Sequence, residues 1–183
     1  MSTVTNSVIG GALLGKTGDT ARRWARRAIL GIALESGGQT VTRPVFRDRP
    51  DLDLTVTDVD SITGLECAAK LTSAVRRLIL DYARQAREDD HSWQEIGVAL
   101  GFRADTDSEV SVADAAYDYA AGTTGFGRAS FAWVCSVCRG TVIDRGPQAG
   151  HPADTEEGHA DDCRRLAAEI AAWNASWEAE DMQ

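Results

Sequence analysis

Residues 131–167 read FAWVCSVCRGTVIDRGPQAGHPADTEEGHADDCRRLA, and four side chains in this stretch decide how the C-terminal third folds. Cys135 and Cys138 are separated by two residues, His159 and Cys163 by three, and 20 residues lie between the pairs. Two thiolates three apart suit a tight knuckle that points both sulfurs into one tetrahedron, about 2.3 Å from a zinc ion. A His and a Cys four apart lie on one face at the start of a helix and close the other half. All four positions then belong to the protein. No position is left for water, so the spacing predicts a structural zinc and not a catalytic one. Trp133 and Val142 are placed to cover the knuckle. His151 ranks second as a ligand, because it sits between Gly150 and Pro152 with no Cys at helical spacing.

The pattern continues on both sides. Downstream, Cys163, Leu166, Ile170, Trp173 and Trp177 make one apolar stripe, so the last ligand is expected inside a final helix. Upstream, a helix over 111–121 would turn Val112, Ala115, Ala116 and Tyr119 inward. Before it, Ser92 and Glu95 fit a capping box, and the helix they open carries Trp93, Ile96, Ala99 and Leu100. Gly101 is its left-handed end. A longer helix spans about 61–89. Its inward face is expected to hold Leu65, Ala68, Leu71, Val75, Leu78, Ile79 and Tyr82, with Arg76, Arg77, Arg84 and Arg87 facing away. Cys67, among Ala and Leu on this helix, reads as an inert core thiol.

Residues 65–102, LECAAKLTSAVRRLILDYARQAREDDHSWQEIGVALGF, are similar to a pattern found in uncharacterised actinobacterial proteins. In those, a long helix ending in Y-x-x-x-A-R leads into S-W-x-E-I-G-x-A-L-G, which resembles the first helix and turn of sigma-factor-like helix-turn-helix domains. The tail from Phe131 resembles the zinc-finger tail that often follows. The likeness covers about residues 62–170 and implies a DNA-binding module, with 92–100 supporting and 111–121 reading. Two features depart from the pattern. GFRADTDSEV, residues 101–110, makes a longer turn than the usual three or four residues, and SVADAAYDYA, residues 111–120, carries Asp114 and Asp118 but no Arg or Lys. DNA affinity leans on cations and base readout on Arg, Lys, Asn and Gln, so a scaffold that reads no DNA stands beside the reading helix as an alternative. Arg103, the basic face of 76–87 and the N-terminal Arg22, Arg23, Arg26 and Arg27 remain candidates for backbone contact.

The N-terminal third is different in charge. Of 183 residues with a net charge of −9, the first 50 hold 8 Lys/Arg against 3 Asp/Glu, while the rest hold 11 against 25. Such a basic arm either attracts its own acidic body or seeks phosphates. Asp19–Ser36 reads as a helix with Ala21, Trp24, Ala25, Ala28, Ile32 and Leu34 on an uneven apolar side, stopped by Gly37-Gly38. Residues 39–58 read as a linker with at most one short strand, in DLDLTVTDV. Gly10 to Thr17 matches GxxxxGK[ST] literally, in which Gly10 and Gly15 would shape a phosphate loop, Lys16 would reach the outer phosphates and Thr17 would hold magnesium. That chemistry needs a buried strand before the loop and further βα units, and TVTNSVI supplies a poor strand.

No apolar run approaches the roughly 20 residues of a membrane span, and the apolar stretch 8–14 lacks the basic residue that a secretion signal places before it. Four cysteines without an export signal favour metal over disulfides and a cytoplasmic setting. No nucleophile constellation argues for an enzyme. The expected architecture is mainly α: a basic helix and linker (1–58), a helix-turn-helix-like domain (59–127) and a zinc-finger module with a C-terminal helix (128–183). The expected function is DNA binding or transcription regulation, alone or beside a protein partner or second copy. A zinc-stabilised protein-interaction module and a nucleotide-binding protein are the alternatives.

Overall fold

In the computed structural model of the protein the described residues are 16–46, 53–104, 110–121 and 131–181. They are mainly helical, with two small antiparallel sheets. The chain divides into two units, residues 1–77 and 78–183.

The first unit starts with α1 (Lys16–Glu35), close to the expected span. Gly37 stops it at φ 68°, a conformation that costs glycine little. The packed side of α1 differs from the expected one. Ala33 is buried, and Ala25, Ala28, Ile29 and Ile32 are half-buried, whereas Trp24 and Leu34 are exposed. The segment expected as a linker is a hairpin: β1 (Thr40–Pro44) pairs antiparallel with β2 (Thr55–Val59), Thr40 opposite Val59 and Pro44 opposite Thr55. Each strand carries the tripeptide Thr-Val-Thr, whose β-branched side chains favour an extended pleat. Pro44 lacks a donor but sits at a strand end, where no ladder bond is lost. Asp60 then opens α2 (Ser61–Glu88) by accepting the N–H groups of Ile62 and Thr63 at 3.1 and 3.2 Å. Cys67 is buried, as its reading required.

On α2 the expected face holds only in part, with Ala68, Leu71 and Ile79 half-buried. Leu65, Val75, Leu78 and Tyr82 stand exposed, Tyr82 at 72%. In the second unit the packed positions are Ile79, Leu80, Ala83, Ala86 and Arg87, and Arg87 is only 3% exposed. One turn of helix separates Ala83 from Arg87, so small residues open a path along which the guanidinium runs inward.

The capping box before α3 (Trp93–Ala99) is present: the Glu95 N–H donates to Ser92 Oγ at 3.2 Å, and the Ser92 N–H donates to the Glu95 carboxylate at 2.8 Å. Gly101 follows at φ 91°. α4 (Val112–Ala121) packs on α3 so closely that a Cβ at Gly97 would lie 2.6 Å from the Val112 side chain and carbonyl. It buries Val112, Ala116, Tyr117 and Ala120, so Tyr117 takes the inward place expected of Tyr119 and Ala115 is half-buried. β3 (Phe131–Val134) and β4 (Thr141–Asp144) form a second hairpin, with Trp133 opposite Val142, and a two-residue β5 (Glu156–Glu157) pairs with β4. Phe131 and Trp93 meet edge to face at 5.0 Å, as do Trp93 and Tyr117 at 5.1 Å. Side chains of α2 cap the free edge of β3: Arg84 Nε donates to the Ala132 carbonyl at 2.9 Å, and the Val134 N–H donates to Glu88 at 3.3 Å. A short helix α5 (Pro152–Thr155) and the final helix α6 (Arg164–Asp181) complete the unit.

Candidate metal centre

The two halves of the donor set come from different local structures. A knuckle turn joins β3 to β4: the Cys135 N–H donates to the Gly140 carbonyl and the Arg139 N–H to the Cys135 carbonyl, both at 2.9 Å, with Arg139 left-handed at φ 61°. This turn presents the sulfurs of Cys135 and Cys138 to one side. The other pair lies ahead of α6, not within it. His159 follows the turn at Gly158, and Cys163 immediately precedes Arg164, its carbonyl accepting the Ala167 N–H at 3.1 Å. The expected helical face for His159 and Cys163 is therefore corrected to a loop and a helix start. Gly158 is needed there: at φ 107° a Cβ would lie 2.2 Å from the Thr141 carbonyl oxygen.

The ligand atoms of Cys135, Cys138, His159 and Cys163 all lie within 4.8 Å of one another and can hold a metal ion. Cys135 Sγ and Cys163 Sγ are 3.8 Å apart, and Cys138 Sγ is 3.6 Å from His159 Nδ1. A tetrahedron with metal–sulfur bonds of about 2.3 Å and metal–nitrogen bonds of about 2.0–2.1 Å has edges of about 3.8 and 3.5–3.6 Å. The residues fit that group. A disulfide is excluded for this pair, since bonded sulfurs lie about 2.05 Å apart and all four cysteines are free. The donors are prepared unequally. The amides of Ala160 and Gly140 aimed at Cys138 hold its thiol down to about 6, whereas burial pushes the Cys135 thiol up against the amides of Cys138 and Val137.

Behind the donors lies a buried polar network that the sequence did not announce. His159 Nε2–H donates to Glu156 Oε2 at 3.1 Å, which fixes Nδ1 as the ligating nitrogen. Burial pushes the Glu156 carboxyl up to about 7, opposed by the Arg87 guanidinium that pairs with its other oxygen. Arg87 also donates to the His91 carbonyl at 2.8 Å and lies 3.4 Å from Asp144 Oδ2, near enough for charge attraction but off the line of a hydrogen bond. Asp144, 1% exposed, accepts from the indole N–H of Trp93 at 2.8 Å, from that of Trp133 at 3.3 Å, and from the Gly146 amide at 2.8 Å. Its carbonyl takes the Tyr117 hydroxyl at 3.0 Å. Trp133 covers the site as expected: its ring meets His159 at 5.6 Å and lies under Arg165 at 4.1 Å, while Val142 opposite it is fully buried. Asp144 could have been suspected from its alternation with Val142, and Glu156 from its place three residues before His159. Arg87 gave no such signal.

The other candidates stay apart from this centre. His151 caps α5, its Nδ1 accepting the Ala153 N–H at 3.1 Å, and meets Trp173 at 4.9 Å. Arg103 is exposed, and Arg22, Arg23, Arg26 and Arg27 lie exposed on α1 in the other unit. Gly10 and Gly15 of the phosphate-loop match fall outside the described residues, while Lys16 and Thr17 open α1. No helix among the described residues is long and apolar enough to cross a membrane. No known protein family, curated protein or solved structure matches this chain.

Proposed function

We propose that Cys135, Cys138, His159 and Cys163 bind one structural zinc ion and that the zinc-clasped unit is a protein-interaction module, with α3 and α4 as its scaffold. The observation that carries this reading is the closed donor set: four side-chain ligands complete a tetrahedron, and none of its positions is left for a substrate or a water nucleophile. The wider surface agrees. α4 turns its apolar side to the core and bears Asp114 and Asp118, and Asp118 is pushed up by burial and by the neighbouring Asp114 charge. A helix of that charge is repelled by phosphates, which supports a scaffold role over base reading. Beside the metal centre, Val134, Val137 and Ile143 are exposed and offer apolar contact to a partner.

The test is hydrogen exchange of the zinc-loaded full chain with and without random-sequence duplex DNA at low salt. This reading expects one zinc per chain and no DNA-dependent protection over 93–121. Protection of α4 would overturn the scaffold role and restore the regulatory helix-turn-helix. A zinc content near zero would sink the metal assignment.

A further inference from the structure

Two strand edges in this molecule are treated differently. The edge of β3 is closed by α2, where Arg84 donates to the Ala132 carbonyl and Glu88 accepts the Val134 N–H. On β2 no such cap is present. Val45 donates to Leu54 and Asp60 to Gln39, so the N–H and carbonyl groups of Thr55 and Thr57 point away from β1. None of these four groups has a partner among the described residues. At one end the Val59 N–H donates to Asp58 Oδ1 at 2.9 Å, which closes the edge there. The outer edge of β1 is blunted by Pro44, which has no N–H to offer. The open stretch is therefore Leu54-Thr55-Val56-Thr57, without a charge, a proline or a glycine. Charges and prolines are what keep exposed edges from pairing, and this one has neither. Val45, Leu54 and Val56 stand 49%, 54% and 50% exposed at the same end. They share one face of the hairpin, since Val45 lies opposite Leu54 and Val56 is two residues further on.

We propose that this edge pairs with the same edge of a second copy of the chain, joining two hairpins into one four-stranded antiparallel sheet. A two-fold axis at Val56 sets Thr55 of each copy opposite Thr57 of the other. That register makes four ladder bonds and satisfies all four open groups on each copy. Val56 meets Val56 across the axis, with Leu54 of each copy diagonal to it, so exposed apolar side chains leave water together. A second copy is the occupant because Thr-Val-Thr reads the same in both directions, and an antiparallel copy matches it residue for residue. Charge agrees. Each copy carries −9, and an uncharged edge lets two such copies meet with little repulsion. The contact is small: a few residues from each copy fall short of the roughly 1,200 Å² of a standard interface. The dimer is accordingly weak, with a dissociation constant on the order of 0.1 mM. The pairing belongs to the first unit and stands apart from the zinc-clasped module proposed above.

The experiment is sedimentation velocity of the zinc-loaded full chain from micromolar to millimolar concentration, at low and high salt. A monomer–dimer equilibrium is expected, tightening as salt screens the repulsion between copies of like net charge. Thr55→Pro removes one outward N–H from each copy and none from the β1–β2 ladder, so dimerisation should weaken about tenfold or more. Thr42→Pro makes the same change on the β1 edge and should leave the equilibrium where it was. Val56→Lys sets like charges face to face on the axis and should abolish the dimer with the circular dichroism unchanged, since its side chain is exposed. A chain monomeric at every concentration would leave the edge to a strand of a different protein and overturn the proposal. So would association that weakens with salt, that Thr42→Pro disturbs as much as Thr55→Pro, or that Val56→Lys leaves intact.

Discussion

The two hairpins are similar in length and pairing but opposite in what they bury. β1 and β2 show little inward face: Val41, Arg43, Asp58 and Val59 are half-buried and the remaining strand residues are exposed. β3 and β4 alternate strictly, with Phe131, Trp133, Val142 and Asp144 buried and their neighbours exposed. The first is held by ladder bonds and β-branched side chains, the second by what covers it. Each also has one acid–base pair across elements or strands. Arg43 and Asp58 lie 3.6 Å apart with side chains 37% and 43% exposed, while Arg87 and Asp144 lie 3.4 Å apart at 3% and 2%. The same chemical pair therefore answers to different physics in the two units: screening by water in one, and in the other burial, where losing one partner leaves the other charge uncompensated.

Removing a metal ligand should give the largest effect and fall on one hairpin alone. Structural zinc contributes on the order of 10 kcal/mol to the folding of small domains. Cys135→Ser should release the ion and loosen residues 131–175, while α1 and the β1–β2 hairpin keep their exchange protection. Zinc analysis and hydrogen exchange check this. Full zinc content with an unchanged thermal transition would remove the distinction between the hairpins. Next in size, Asp144→Ala should cost about 3–5 kcal/mol, because Arg87 loses a buried counter-charge and two indole N–H groups and the Gly146 amide lose their acceptor. Asp58→Ala should cost at most about 1 kcal/mol, since a pair this accessible to water is worth little. Denaturant unfolding of both variants measures the ratio; similar losses would mean that burial is not what separates the two pairs.

A third change acts on the metal without touching a ligand. Glu156→Gln keeps the shape but weakens the acceptor that orients His159, and outer partners of this kind are worth about 10–100-fold in metal affinity. Competition with a chromogenic chelator reads it directly, and an unchanged affinity would mean that the knuckle alone positions the imidazole.

These residues also show what the sequence could and could not say. The donor set was legible because metal geometry restricts spacing: Cys-x2-Cys and His-x3-Cys carry their own explanation. Helix ends were legible for the same reason, as Ser92, Glu95 and Gly101 act on their own backbone. The face of α2 was not, because its apolar residues encircle too much of the helix to choose a side. The choice fell to Arg87, whose partners Glu156 and Asp144 lie 69 and 57 positions away. Of the β1–β2 hairpin only the second strand was expected, in DLDLTVTDV, because Pro44 and the charges around it hid the Thr-Val-Thr of the first. Long-range pairing has no local spacing to betray it.

The smallest expected effect concerns a device that both units share. Asp60 at the start of α2 and Glu95 at the start of α3 each accept backbone N–H groups, and these bonds hold both carboxyls below their ordinary values of 3.8 and 4.5. A carboxyl whose folded value is lowered adds stability that is complete above its unfolded value and is lost as pH falls through the folded one. The penalty of Asp60→Ala should therefore be constant near neutrality and shrink toward zero as the solution becomes acid. Glu95→Ala should behave alike only while zinc is held, since acid also protonates the thiolates and the imidazole and so releases the ion. Below that release the second unit loses its clasp whatever stands at position 95, and the variant and the parent should unfold together. Hydrogen exchange of α2 and α3 followed across the acid range separates the two caps. An Asp60→Ala penalty that does not vary with pH would mean that the cap works through its shape and not its charge.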